Sequence, residues 1–215
     1  AERLLLDGLE IAGDNFGLQN SYFFLLVKQQ RLEKAESLLS SQYGSAVDDL
    51  PEQLQQFYYF QKGMIRLAAG DIESAAALIE RAISDDSDPA LNDAQIMFTT
   101  ISSALQAAVG NAELAEQRLS SAERAVRRAR INGMDDANIN YTESSIHALR
   151  GNAQAALEKL QIAYDRGFRQ VWLLDLDARM DSLRQEPQFV ALKEQIELDI
   201  VEARTQVQSL AVAAL

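Results

Sequence analysis

The chain repeats itself at intervals of about 40 residues, and this limits its possible folds more than any other feature. Four short stretches align: Gln30-Arg31-Leu32-Glu33-Lys34-Ala35, Gly70-Asp71-Ile72-Glu73-Ser74-Ala75, Gly110-Asn111-Ala112-Glu113-Leu114-Ala115 and Gly151-Asn152-Ala153-Gln154-Ala155-Ala156. Their anchors, residues 30, 70, 110 and 151, step by 40, 40 and 41. Five positions on stand Ala35, Ala75, Ala115 and Ala156; nine on, Leu39, Ile79, Leu119 and Leu160; twelve on, Gln42, Ala82, Ala122 and Ala163. Glycine at an anchor can adopt positive φ and end a helix. Asp or Asn beside it can cap the next helix by accepting orphan N–H bonds. The alanines let two backbones approach closely, and the larger residue between them fills the space.

Only 3 Pro and 10 Gly interrupt the 215 residues, and apolar side chains recur at three- and four-residue steps nearly throughout. The pattern predicts an all-α chain. A first helix is expected over 1–12, as the second half of an earlier unit. Helical pairs are expected over 16–29/32–42, 52–69/72–84, 90–109/112–131 and 136–150/153–166. Acidic loops at Asp48-Asp49, Asp85-Asp86 with Asp88, and Asp135-Asp136 separate them. Two short helices should fill 168–185, and Pro187 should open a final helix to about 210. A helical hairpin cannot bury its apolar face alone, so the expected architecture is a right-handed α-solenoid of about four stacked hairpins, closed by a C-terminal capping helix. The boundaries are 1–167 for the repeats and 168–215 for the cap.

The Gly–Asp/Asn, Ala, Leu/Ile, Ala spacing resembles the tetratricopeptide repeat, over roughly residues 15–167. The best copy, from about Phe57 to Pro89, carries Tyr59 at the aromatic position, Gly63 at the small position of the first helix, then Gly70, Ala75 and Ala82. Ser103 and Ser144 stand where Gly63 does in the next two copies. The period exceeds the family's usual length of about 34, the first copy lacks its glycine and last alanine, and the closing proline is displaced to Pro89. After the repeats come Trp172, Leu176, Asp177, Leu183, Arg184, Glu186, Pro187, Phe189 and Leu192. These are similar to the end of tetratricopeptide regions in membrane-anchored winged-helix transcriptional regulators of the CadC type from proteobacteria. Similar tails follow adenylate cyclase and kinase domains. As an exposed solenoid end must be sealed, Trp172, Phe189 and Leu192 are expected to cover the last repeat.

With 20 basic against 32 acidic residues the net charge is −12, which makes this segment a poor nucleic-acid binder by itself. The absence of Cys excludes disulfides and thiolate chemistry. No run of about 20 apolar residues is present to span a bilayer, so no membrane contact is expected. Ala1 leads straight into Glu2 and Arg3 with no signal-peptide pattern, which reads as a processed chain or a fragment. There is no phosphate-binding glycine loop, and a single His rules out a two-histidine metal motif. The expectation is a non-catalytic chain with no cofactor and no metal. Arg124, Arg127, Arg128 and Arg130 suit the C-terminal end of their helix dipole, and Asn140-Tyr141-Thr142 is a formal glycosylation triplet inside a predicted helix.

In tetratricopeptide solenoids the first helix of each repeat lines the inner groove. Ten positions before each anchor stand Asn20, Phe60, Thr100 and Tyr141; six before, Phe24, Met64, Ala104 and Ser145; four before, Leu26, Arg66, Gln106 and His147. Asn20, Phe60, Met64, Arg66, Thr100, Gln106, Tyr141 and His147 are the candidate partner-binding residues, although the larger ones are equally suited to the core. His147, the single histidine, would suit a pH sensor, against the plainer reading of a half-exposed group bonded to backbone. The resemblance implies a sensory or interaction domain that binds a protein or peptide, with a DNA-binding winged helix upstream. It leaves open the periplasm or cytoplasm, and a homodimer. An accessory domain of a signalling enzyme such as an adenylate cyclase, or a free-standing assembly chaperone, are the alternatives.

Overall fold

The structure is a computed structural model described over residues 2–12, 15–83 and 92–213, with backbone alone at Trp172, Leu176, Gln208 and 210–213. Among the described residues it is all-helical, with no strand. The helices are α1 (Glu2–Ile11), α2 (Phe16–Lys28), α3 (Leu32–Tyr43), α4 (Glu52–Ala68), α5 (Ile72–Arg81), α6 (Asp93–Ala108), α7 (Ala112–Ile131), α8 (Ala137–Leu149), α9 (Ala153–Asp165), α10 (Val171–Leu176) and α11 (Pro187–Ala213). Short 3-10 segments occupy Val47–Asp49 and Ala178–Leu183. Pro187 opens α11 as expected. The expected loop Asp85-Asp86 with Asp88, and the displaced Pro89, lie outside the described residues.

All four anchors have left-handed backbone: Gln30 at φ 57°, Gly70 at 81°, Gly110 at 82° and Gly151 at 74°. Each closes the same pair of bonds. The anchor N–H donates three residues back, and the next N–H donates five back: Arg31 to Leu26, Asp71 to Arg66, Asn111 to Gln106 and Asn152 to His147. A Cβ on Gly70, Gly110 or Gly151 would meet nothing within 4 Å, so φ and not space demands glycine there. Gln30 occupies the same conformation with a side chain, at a cost of about 1 kcal/mol. Gln30→Gly is therefore expected to raise stability by about 0.5–1 kcal/mol despite the added freedom of the unfolded chain. Urea denaturation of the two proteins checks this; a lower midpoint for the glycine variant would contradict it. The caps follow the expectation in part. Asp71 accepts from the Ser74 N–H at 3.1 Å, whereas Asn152 makes no side-chain cap.

The in-phase small and apolar positions are buried. Ala35, Ala75 and Ala156 are inaccessible, as are Ala82, Ala122 and Ala163, with Leu39, Ile79, Leu119 and Leu160 between them. Gln42 is the exception at its position; it is half-buried, and its Oε1 is enclosed without a hydrogen-bond partner.

The chain divides into two compact units, one of residues 1–87 with 105–115 and the other of 88–104 with 116–215. In the first, α1 packs on α2, α2 on α3 and α4, α3 on α4, and α4 on α5. Its core includes Phe23, Leu26, Ala35, Leu39, Ile65, Ala75 and Ile79. The second has two clusters. Ile96 of α6 joins Leu119, Ala122, Val126 and Ala129 of α7 and Ile139 and Ile146 of α8. Leu157, Leu160 and Ala163 of α9 share a core with Phe168, Leu174, Met180, Leu183, Phe189, Leu192 and Ile196. The residues after Gly167 thus supply the apolar cover of the α8–α9 hairpin. The side chain of Trp172, expected in the same role, lies outside the described residues.

Candidate functional site

Phe16, Asn20 and Phe24 recur every four residues and therefore share one face of α2. Neighbouring α4 brings Phe57, Phe60 and Gln61. The Phe16 and Phe57 rings meet edge to face at 5.2 Å, and Phe24 lies 6.2 Å from Phe60. Phe16 is 36% exposed, and Phe24, Phe57 and Asn20 are half-buried.

A hydrogen-bond chain holds the centre of this face. The Tyr43 hydroxyl donates to Gln61 Oε1 at 2.9 Å, and Gln61 Nε2 donates to Asn20 Oδ1 at 3.1 Å. Gln61 is fully buried. Burial pushes the Tyr43 phenol up to about 12, so it stays a donor throughout the physiological range. Asn20 Nδ2 makes no hydrogen bond among the described residues.

The other side of α4 forms a cleft of about 180 Å³ with α3, lined by Glu36, Leu39, Ser40, Tyr58, Lys62 and Arg66. Within it Arg66 pairs with Glu36 at 3.1 Å, and Lys62 donates to the neutral Tyr58 hydroxyl at 3.0 Å.

The eight candidate residues separate. Asn20, Phe60, Met64, Arg66 and Gln106 belong to the first unit; Thr100, Tyr141 and His147 belong to the second. Phe60, Met64, Thr100, Gln106 and Tyr141 are buried at 0–7% exposure, so they present no groove surface in the free chain. The apolar ones fill core, and Thr100 donates back to the Ile96 carbonyl of its own helix. Arg66 faces the α3 cleft, not the aromatic face. His147 is half-buried; its backbone carbonyl receives the turn bond from Asn152, and its side chain makes no hydrogen bond among the described residues. Two of the eight, Asn20 and Phe60, belong to the aromatic face, Asn20 half-buried and Phe60 buried beneath it. Phe16, Phe57, Gln61 and Tyr43 were not among the candidates. The four-residue spacing from Phe16 to Phe24 was the readable signal; Tyr43 and Gln61 carried none.

Tyr141 belongs to a buried electrostatic cluster in the second unit. It stacks on Phe168 at 4.6 Å, and its hydroxyl donates to Asp177 Oδ2 at 2.6 Å. Arg179 Nε and Nη2 also donate to that carboxylate, at 2.8 and 2.6 Å, with both side chains almost inaccessible. Arg184 donates to the Leu174 and Asp177 carbonyls. Burial and the adjacent carboxylate raise the Tyr141 phenol well above its ordinary range, so the group cannot serve as a base near neutrality. Ion pairs also link the helices of this unit. Arg150 forks onto Glu116 and Glu123, and Arg130 joins Glu143, Asp135 and Asn140. Asn140, the head of the glycosylation triplet, is 1% exposed and donates to Asp135, which closes it to modification. Among the described residues no group of three or more His, Asp or Glu is arranged to hold a metal ion, and no helix is long and apolar enough to cross a membrane.

The class that these features define is an all-α chain of helical hairpins joined by left-handed turns. No family model matches the chain, and neither a curated protein nor a solved structure does.

Proposed function

We propose that the chain is a non-catalytic helical-repeat interaction domain, of tetratricopeptide type, that holds a peptide segment of a partner protein on the α2–α4 face. One observation carries this reading: Asn20 is held through its Oδ1 by the buried Gln61, its Nδ2 makes no hydrogen bond among the described residues, and it lies one turn from each of two partly exposed phenylalanines of the same helix. An amide donor suits a peptide carbonyl, and Phe16, Phe24 and Phe57 suit its apolar side chains. The in-phase turns and buried alanines support stacked hairpins as the scaffold. In the regulator that the C-terminal residues resemble, occupancy of this face would alter association of an attached effector.

The test is selection of a displayed random-peptide library on the full chain, with affinities of selected peptides measured by fluorescence anisotropy. Phe16→Ser is expected to weaken binding about tenfold, since roughly one partly exposed aromatic contact is lost, while circular dichroism stays unchanged. Failure to select any peptide, or selected peptides indifferent to Phe16→Ser, would remove the α2–α4 face as the site.

A further inference from the structure

We propose that the cleft between α3 and α4 binds a small carboxylate with a short apolar tail. Tyr58, Lys62 and Arg66 recur every four residues and form one ridge of α4; Glu36 and Ser40, also four apart, line the cleft from α3. The ridge carries unused donors. Lys62 is half-buried, and among the described residues its ammonium meets only the neutral Tyr58 hydroxyl at 3.0 Å and the same ring, 5.3 Å from its centroid. No carboxylate among those residues pairs with it. The Tyr58 hydroxyl accepts the lysine bond and so keeps its own proton to donate. Arg66 reaches Glu36 through Nη2 alone; its Nε and Nη1 make no hydrogen bond among the described residues. Ser40 donates to the Glu36 carbonyl, so its hydroxyl adds no donor to the cleft.

The occupant follows from the balance of these groups. Two cations and one carboxylate line the cleft, so its local charge is positive in a chain of net charge −12. Charges more than about 8 Å apart are largely screened at physiological salt, so the local sum governs a small ligand. A half-buried ammonium without a counter-charge gains most from an anion, because it has already lost part of its hydration. A carboxylate presents two acceptor oxygens, one for Lys62 and one for the Tyr58 hydroxyl or an Arg66 N–H. Leu39, buried at 3% exposure, and the Tyr58 ring, edge to face with Tyr43 at 5.6 Å, supply an apolar wall for the tail. A phosphate dianion has no tail for that wall and sets a second charge against Glu36. At about 180 Å³ the cleft is smaller than the pockets that take drug-sized ligands, which limits the occupant to a few non-hydrogen atoms and the affinity to the millimolar range.

The inference does not rest on peptide binding at the opposite side of α4, and its test uses no peptide. The full isotope-labelled chain is titrated with sodium butyrate at fixed ionic strength and followed by amide chemical shifts. Amides of α3 and α4 around the cleft should shift saturably with a Kd of about 1–10 mM, and butylammonium should shift none of them. Lys62→Gln should weaken butyrate about tenfold, the loss of one charge-assisted hydrogen bond. Lys28→Gln, the same charge change at an exposed residue outside the cleft, should alter it less than about twofold. Glu36→Gln should tighten it about twofold or more, by removing the one carboxylate that opposes the ligand. Glutamine is a good helix former, so circular dichroism should be unchanged in all three variants. No saturable shift up to about 100 mM, equal losses for Lys62→Gln and Lys28→Gln, or inorganic phosphate binding more tightly than butyrate would overturn the proposal.

Discussion

Asp177→Asn is expected to remove about 3–5 kcal/mol of stability from the second unit, because it leaves the Arg179 guanidinium buried without its counter-charge. The carboxylate also accepts the Tyr141 hydroxyl and the Arg179 backbone N–H, so one substitution disturbs the join between α8 and the segment that follows α9. Burial alone would push the Asp177 carboxyl up; Arg179 and Tyr141 override it and hold it below its ordinary value. The sign follows from that direction. A carboxyl whose folded pKa is depressed contributes stability above its unfolded value, near 3.8, and loses it as pH falls through the folded value. Wild type should therefore weaken below about pH 4 more steeply than the asparagine variant. Hydrogen exchange of the α8 and α9 amides, followed from pH 7 to pH 3, reads this unit separately. Equal acid dependence in the two proteins would remove Asp177 as a source of acid sensitivity. Arg179 Nη1 is buried without a partner, so the pair is held at a cost. The triple variant Tyr141→Phe, Asp177→Leu, Arg179→Met should recover most of the lost stability, since apolar replacement removes the desolvated charges together.

Gly63→Val should cost about 2–3 kcal/mol by overpacking the α4–α5 hairpin. A Cβ at Gly63 would stand 2.8 Å from Ile79 Cδ1, 2.9 Å from Cγ1 and 3.4 Å from the Ala75 carbonyl. Here space demands glycine, the reverse of the anchor positions. The α8–α9 hairpin solves the same contact differently. Ser144 occupies the matching place and donates to the Ala156 carbonyl at 2.7 Å, and the matching bulky residue is Leu160, which lacks the β-branch. Gly63→Ser with Ile79→Leu should therefore be less damaging than the two single changes sum to, by about 1 kcal/mol, because contacting residues couple. A urea-denaturation double-mutant cycle measures this, and strict additivity would show that the two positions do not share the strain.

The turn register was legible because its causes are local. Glycine at positive φ and the bond five residues back act within about one and a half turns of the chain, and the alanine contacts join the two helices of one hairpin, about twelve positions apart. The same register placed Gln30, whose left-handed backbone closes the same two turn bonds although its side chain opposes the conformation. The aromatic face was only half legible. Offsets from the anchors singled out Asn20, but by the same arithmetic they selected Phe60, Met64 and Tyr141, which lie in the core. Periodicity reports which face of a helix a residue occupies; it does not report what covers that face.

Sequence alone determined the helical class and the hairpin turns, which depend on residues within a few positions of one another, and the repeat exposed the positions where the two helices of a hairpin approach. Tertiary structure alone decided which apolar residues remain open and which polar groups find partners. Gln61 reaches Asn20 across 41 positions and Tyr141 reaches Asp177 across 36. Solvent exclusion at such groups is set by chain segments distant in sequence, which no local spacing encodes.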